Sequence, residues 1–329
     1  MFILPSYTAA VVCCIITMIC WGSWANTQKL AAAGWRFELF YWDYVIGIVL
    51  LALIFALTLG SFGEGGRSFI ADLLQADSRN LVSALMGGVI FNAANILLGA
   101  AIAMAGMSVA FPVGIGLALV IGVIVNYVQA PAGNPMYLFG GVALVTAAIL
   151  LNARAYQLLQ KNAKAPTRGI WLAVISGSLM GLFYQFVAAS MFIDFTVPEP
   201  GKLSPYTAVV VFSVGILISN FLFNTLLMRR PFTGSPVSYS NYFGGNLKSH
   251  AMGMLGGTIW CVGMSLSIIA ADQAGPAISY GLGQGATVVA ACWGIFIWKE
   301  FSQAPNTKSI LFGMLLCYVL GLILIVAAR

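Results

Sequence analysis

Amide and aromatic side chains set inside long apolar runs are the residues with chemistry to offer in this chain. Asn92 and Asn95 are spaced i, i+3, and Tyr280 and Gln284 are spaced i, i+4, so each pair shares one helix face. Asn220 and Asn224 share a face in the same way, and Asn26, Asn126, Tyr184 and Gln185 add further polar groups. An amide placed in hydrocarbon is costly unless it meets a partner. Two readings follow. The amides join helix to helix, each contributing about 0.6 kcal/mol, or together they line a wet central chamber. Trp24 and Trp260 lie deep enough to stack on a solute, whereas Trp35, Trp42 and Trp298 lie near span ends, where aromatic belts form. Such a chamber suits a neutral, hydrogen-bonding solute. Sugars fit it by amide-to-hydroxyl bonds and tryptophan faces, and flat nucleobases or ureides would use the same groups. The expected solute-binding set is Trp24, Asn26, Asn92, Asn95, Asn126, Tyr184, Gln185, Trp260, Tyr280 and Gln284.

Charge is scarce. Glu38 and Asp43 near the start of the second apolar run, and Asp272 at the junction of the eighth and ninth, are the carboxylates able to couple a proton to solute movement. The plainer reading pairs them with Arg36, Lys29 or Lys299, and uncoupled movement fits the sequence equally well. The single histidine, His250, opens the eighth run and reads as an interfacial polar residue. No GxSxG, HExxH or phosphate-binding glycine loop is present, so no catalytic constellation, cofactor or metal is expected. Six cysteines, none in a CxxC pair, read as small apolar packing residues.

The elements that hold these residues follow from composition. The chain has 329 residues, 60% hydrophobic and 7% charged, with mean hydropathy +0.95. Residues 80–153 contain no Asp, Glu, Lys, Arg or His, a stretch longer than any soluble core helix. A membrane-crossing helix needs about 20 apolar residues. The expected fold is an all-α polytopic membrane protein of ten transmembrane helices, near 7–28, 42–61, 81–103, 108–128, 136–156, 168–191, 205–228, 250–271, 275–298 and 308–327. A net charge of +6 without a basic stripe excludes nucleic acid as a partner. The expected partners are a small-molecule substrate, protons where coupling operates, and the lipid bilayer, with the chain a monomer or homodimer. The N-terminus lacks a basic segment and cleavage site and reads as the start of the first span.

Residues 87–127 and 256–296 align without a gap at an offset of 169, with 10 identities in 41 positions, five of them glycine. Phe91 falls opposite Trp260. Gly22-Ser23-Trp24-Ala25-Asn26 and Gly181-Leu182-Phe183-Tyr184-Gln185 form a weaker echo. A basic segment from Arg154 to Arg168, with Lys161 and Lys164, divides the chain into five spans plus five, residues 1–160 and 161–329. An odd number of spans per half forces opposite orientations, the inverted repeat of many carriers, with the site between the halves. Eleven of the 15 Lys and Arg fall in the connections after odd-numbered spans. Those connections are therefore expected in the cytoplasm, with both termini outside an inner or plasma membrane.

Several segments resemble the drug/metabolite transporter superfamily, in the branch holding rhamnose–proton symporters, glucose/ribose porters and plant ureide permeases. Trp35-Arg36-Phe37-Glu38, Asn95 with Gly106-Met107-Ser108, Leu255-Gly256-Gly257 with Trp260, and Lys299-Glu300-Phe301 are similar to the rhamnose symporters. Gly22-Ser23-Trp24 and Asn126-Tyr127 look more like the ureide permeases, and Ala103 stands where the rhamnose symporters carry a basic residue. The resemblance implies inverted five-helix repeats, alternating access about a site bounded by spans 1, 3, 4, 6, 8 and 9, and proton-coupled uptake. A sugar is the first expectation, a ureide or nucleobase the second, and a multidrug exporter the third.

Overall fold

The computed structural model describes residues 1–63, 65–159, 166–299, 301 and 307–329, and of Met107, Ser108 and Phe111 the backbone alone. The basic residues Lys161 and Lys164 and the acidic Glu300 lie outside the described residues. Regular structure among the described residues is helical, apart from an isolated bridge between Met191 and Leu203. The helices are α1 (Tyr7–Ser23), α2 (Asn26–Leu30), α3 (Phe37–Leu57), α4 (Phe69–Gln75), α5 (Ser78–Ala105), α6 (Met107–Gln129) and α7 (Pro135–Leu159). They continue as α8 (Thr167–Ser190), α9 (Pro205–Arg229), α10 (Tyr239–Phe243), α11 (Leu247–Ala274), α12 (Pro276–Gly283), α13 (Ala286–Cys292), a π-helical turn (Trp293–Ile297) and α14 (Lys308–Val326).

Nine segments among the described residues are long and apolar enough to cross a bilayer. The tenth expected span is divided. Instead of running through 7–28, α1 ends at Ser23 after 17 residues, and α2 begins at Asn26. Seventeen residues rise about 26 Å, short of a hydrocarbon core of about 30 Å. The ninth span is also interrupted, at Gln284-Gly285, between α12 and α13. There the Gly285 and Val288 amides donate to the carbonyls three residues back, Leu282 and Gly285, at 2.9 Å each, the tighter pattern of a helix end.

Glycine decides how closely the helices approach. A Cβ on Gly88 of α5 would run into the Phe212 carbonyl of α9, and one on Gly257 of α11 into the Tyr44 carbonyl of α3. Gly215 against Leu85, and Gly47 against Met254, complete the same contacts from the other side. Without a hydrophobic force between helices in lipid, such small-residue contacts supply the packing. Gly106 and Gly275, at φ +77° and +79°, end α5 and α11 and permit the tight joins to α6 and α12. That backbone region favours glycine.

The pairings of the long helices are orderly. α5 lies against α8 and α9, α11 against α1 and α3, α6 against α8, α13 against α1, and α7 against α14.

Candidate functional site

A cavity of about 800 Å³ enters the bundle from the end that carries Lys29 and Arg36 and stops halfway through it. Its floor is the pair Phe91 and Trp260, ring centroids 4.4 Å apart, at the midpoints of α5 and α11. Trp21 stacks on Trp260 at 5.9 Å, and Phe183 meets Phe91 edge-on at 5.2 Å. Trp24, leaning on Tyr44 at 4.6 Å, closes one side. The end of α1 and the start of α13 are brought together here, because Gly22 packs onto the Ala286 carbonyl.

Few polar side chains face this aromatic chamber. Asn95 reaches it from α5, Gln28 from α2, and Gln284 from the break between α12 and α13. No described residue holds the Gln284 amide, although Gln284 is only 7% exposed. Asn95 donates from Nδ2 to the Tyr41 hydroxyl at 3.1 Å. At the mouth, the Arg36 guanidinium clasps the Glu38 carboxylate, at 2.5 Å and 3.1 Å, and also donates to the Thr233 and Ser235 carbonyls. It thereby ties residues 233–235 over the rim. Glu38 is 6% exposed, and its backbone carbonyl accepts from Asn224 Nδ2 at 2.9 Å.

Of the residues expected from sequence, Trp24, Asn95, Trp260, Gln284 and Glu38 line this cavity. The others lie elsewhere. Asn92 is buried behind Asn95, bonded to Tyr41 and Ser219. Tyr184 and Tyr280 lie outside the lining, their hydroxyls committed to the carbonyls of Ser267, Ala118 and Met180. Asn126 turns back on its own helix, donating to the Gly122 carbonyl at 2.7 Å. Gln185 is half-buried on α8, outside the lining. Asn26 accepts from the Trp298 indole at 2.8 Å and holds α2 to the segment after the π-helical turn. Asp272 lines a second cavity of about 640 Å³ at the opposite end and accepts the Phe195 amide at 3.0 Å.

Asp43 forms a cluster of its own. It is 2% exposed and meets the Tyr242 hydroxyl at 2.7 Å and His250 Nδ1 at 3.0 Å. Burial and then the bond to Asp43 push the Tyr242 phenol well above its usual pKa, so it stays a donor. Sequence reasoning did not single out Tyr41, Tyr44, Phe183 or Ser219. The i, i+3 spacing of Tyr41 and Tyr44 was the available signal.

An apolar helical bundle enclosing one deep, one-ended chamber of aromatics and amides defines a multi-pass membrane protein of the transporter class. The ureide permease profile matches residues 40–167 and 154–328, and the chain belongs to the ureide permease family. The two matched pieces meet at the basic central connection. Ureide permease 1 of Arabidopsis thaliana is 23% identical, over 100% of this chain and 99% of its own length. Ureide permease 4 of the same plant is 21% identical with the same coverage. A probable ureide permease A3 of Vigna unguiculata is 29% identical over 45% of this chain. One crystal structure, at 16% identity and TM-score 0.58, covers 98% of this chain and 99% of its own and shares the fold. The matches support the ureide permease side of the sequence resemblance, and none of the relatives named here is described as a sugar carrier.

Proposed function

We propose that this protein is a secondary carrier for a flat, neutral, nitrogen-rich solute, a cyclic ureide or nucleobase, and not for a sugar. The carrying observation is the chamber itself, in which aromatic faces dominate and three amides, Gln28, Asn95 and Gln284, project among them. A ureide ring alternates N–H and C=O along its edge and has two apolar faces. Asn and Gln side chains offer the matching donor and acceptor, and Trp24, Phe91 and Trp260 offer the faces. A sugar bears a hydroxyl on nearly every carbon, and each one left without a partner on burial costs about 1–3 kcal/mol. The chamber has too few uncommitted polar side chains for that. The relatives' names point the same way.

The carrier works by rocking two inverted halves, residues 1–160 and 161–329, about the chamber. Ten spans are counted by taking α1 with α2 and α12 with α13. The helix pairings support this reading, because exchanging each span with the one five later converts α5–α8 into α11–α1 and α5–α9 into α11–α3, and returns α7–α14 to itself. The excess of Lys and Arg supports a cavity mouth in the cytoplasm with both termini outside. Of the proton-coupling candidates, Glu38 alone lines the chamber, so Glu38 is assigned that role ahead of Asp43 and Asp272. Protonation would release Arg36 and, with it, the residues tied over the rim.

The test is uptake of labelled uracil and allantoin into proteoliposomes, with rhamnose and glucose as competitors. Uptake blocked by unlabelled ureides and untouched by sugars is expected; the reverse pattern sinks the assignment. Glu38→Gln is expected to leave solute exchange intact while removing its response to an imposed pH gradient. A variant still driven by that gradient moves the proton site to another carboxylate.

A further inference from the structure

We infer that Tyr41, through Asn92, fixes which end of the Asn95 amide faces the chamber, so that the solute must present an N–H donor to Asn95. This rests on the ureide or nucleobase reading above and adds a direction to it. The direction follows from a chain of hydrogen bonds that ends on a group with no choice. Asn92 Nδ2 lies 3.3 Å from the Ile216 carbonyl and 2.9 Å from Ser219 Oγ. A carbonyl can only accept, and the Ser219 hydroxyl already donates to the Gly215 carbonyl at 2.7 Å. Both contacts therefore require the nitrogen of Asn92 at that position. Its Oδ1 is left to accept from the Tyr41 hydroxyl at 2.9 Å. With its one proton spent, the Tyr41 oxygen accepts from Asn95, and the contact at 3.1 Å must be Asn95 Nδ2.

What remains toward the chamber is Asn95 Oδ1. It has no partner among the described residues and is not sealed from the cavity that Asn95 lines. The Tyr44 hydroxyl is buried beside the same amide and completes no hydrogen bond of good geometry. A carbonyl oxygen has two lone pairs, and Asn95 Oδ1 keeps at least one open for a solute. The chain is held rigidly because Gly88 and Gly215 let α5 and α9 touch backbone to backbone beside it. Tyr41 and Asn92 lie outside the cavity lining, so they are positioning residues.

The experiment measures binding of hydantoin and uracil, each with its fully N-methylated counterpart, to purified full-length protein, with rhamnose as a third probe. Wild-type protein is expected to prefer the N–H rings by about tenfold or more, the effect of one buried hydrogen bond. In Tyr41→Phe the Asn95 amide is free to turn, and that preference should shrink toward unity. Asn92→Leu, which frees the Tyr41 proton, should shrink it as well. Methyl bulk is the same in all three proteins and cancels in the comparison, and a melting curve with either ring reports whether each variant is folded. If wild type binds methylated rings equally, or if both folded variants keep the full preference, the assignment is overturned while the ureide reading stands. If neither variant folds, equal binding of the two rings by wild type still overturns the assignment. Binding of rhamnose but of neither ring, or of no probe, overturns the ureide reading and this inference together.

Discussion

Asn95→Ala is expected to abolish uptake while leaving a folded protein. Asn95 is 7% exposed and borders an existing cavity, so truncation enlarges that space and opens no new void in the packed core. The functional loss has two sources. The solute forfeits its contact with Asn95 Oδ1, and the Tyr41 hydroxyl loses the donor at 3.1 Å that kept it satisfied. Each loss is of the order of 1 kcal/mol or more in a buried setting. Together they should lower the rate at sub-saturating solute by well over tenfold. Uptake by proteoliposomes, normalised to monodisperse protein, checks it. Full transport by the variant removes Asn95 from the site and leaves Gln284 as the remaining deep amide.

Gly257→Ala should be the most damaging single methyl in the protein. The added carbon would meet the Tyr44 carbonyl and the Ile48 amide nitrogen, both backbone, so no side chain can swing aside. Helices α3 and α11 would have to part. Overpacking costs about 1–3 kcal/mol and occasionally more, and this site belongs at the upper end. The damage is local to function too, because Tyr44 supports Trp24 and Gly257 lies one turn from Trp260. Gly313→Ala is the control, since its added carbon would meet only Leu151 Cδ1 at an ordinary 3.8 Å. A large fall in melting temperature for Gly257→Ala against little change for Gly313→Ala is expected. Equal melting of the two would mean that α3 and α11 are not in backbone contact.

The long apolar helices were legible in the sequence because hydrocarbon leaves so few options for a backbone. The tight joins at Gly106 and Gly275 were legible for a similar reason, since only glycine sits easily at those angles. Which polar residues share a chamber was much less so. In a soluble helix the buried face announces itself by contrast with a charged one. Here the lipid-facing and core-facing sides are equally apolar, so Asn95 and Asn126 read alike. The structure turns one toward the cavity and folds the other back onto the Gly122 carbonyl. Tyr280 and Gln284 do share a stretch of helix in sequence, yet the interruption after Gly283 sends Gln284 into the chamber and leaves Tyr280 on backbone carbonyls. Tyr41 escaped notice because a tyrosine in an apolar run looks like packing until its hydroxyl partner is known.

The repeat at offset 169 is a repeat of scaffold and not of chemistry. Cys261 and Met264 occupy the positions that Asn92 and Asn95 hold in the other half, and both are fully buried. Gln284 in turn falls opposite Ile115, and both line the cavity. The two deep amides that face the chamber, Asn95 from one half and Gln284 from the other, thus sit at positions the repeat does not equate. The proposed carrier would grip its solute with two unlike walls, leaving no twofold choice of orientation.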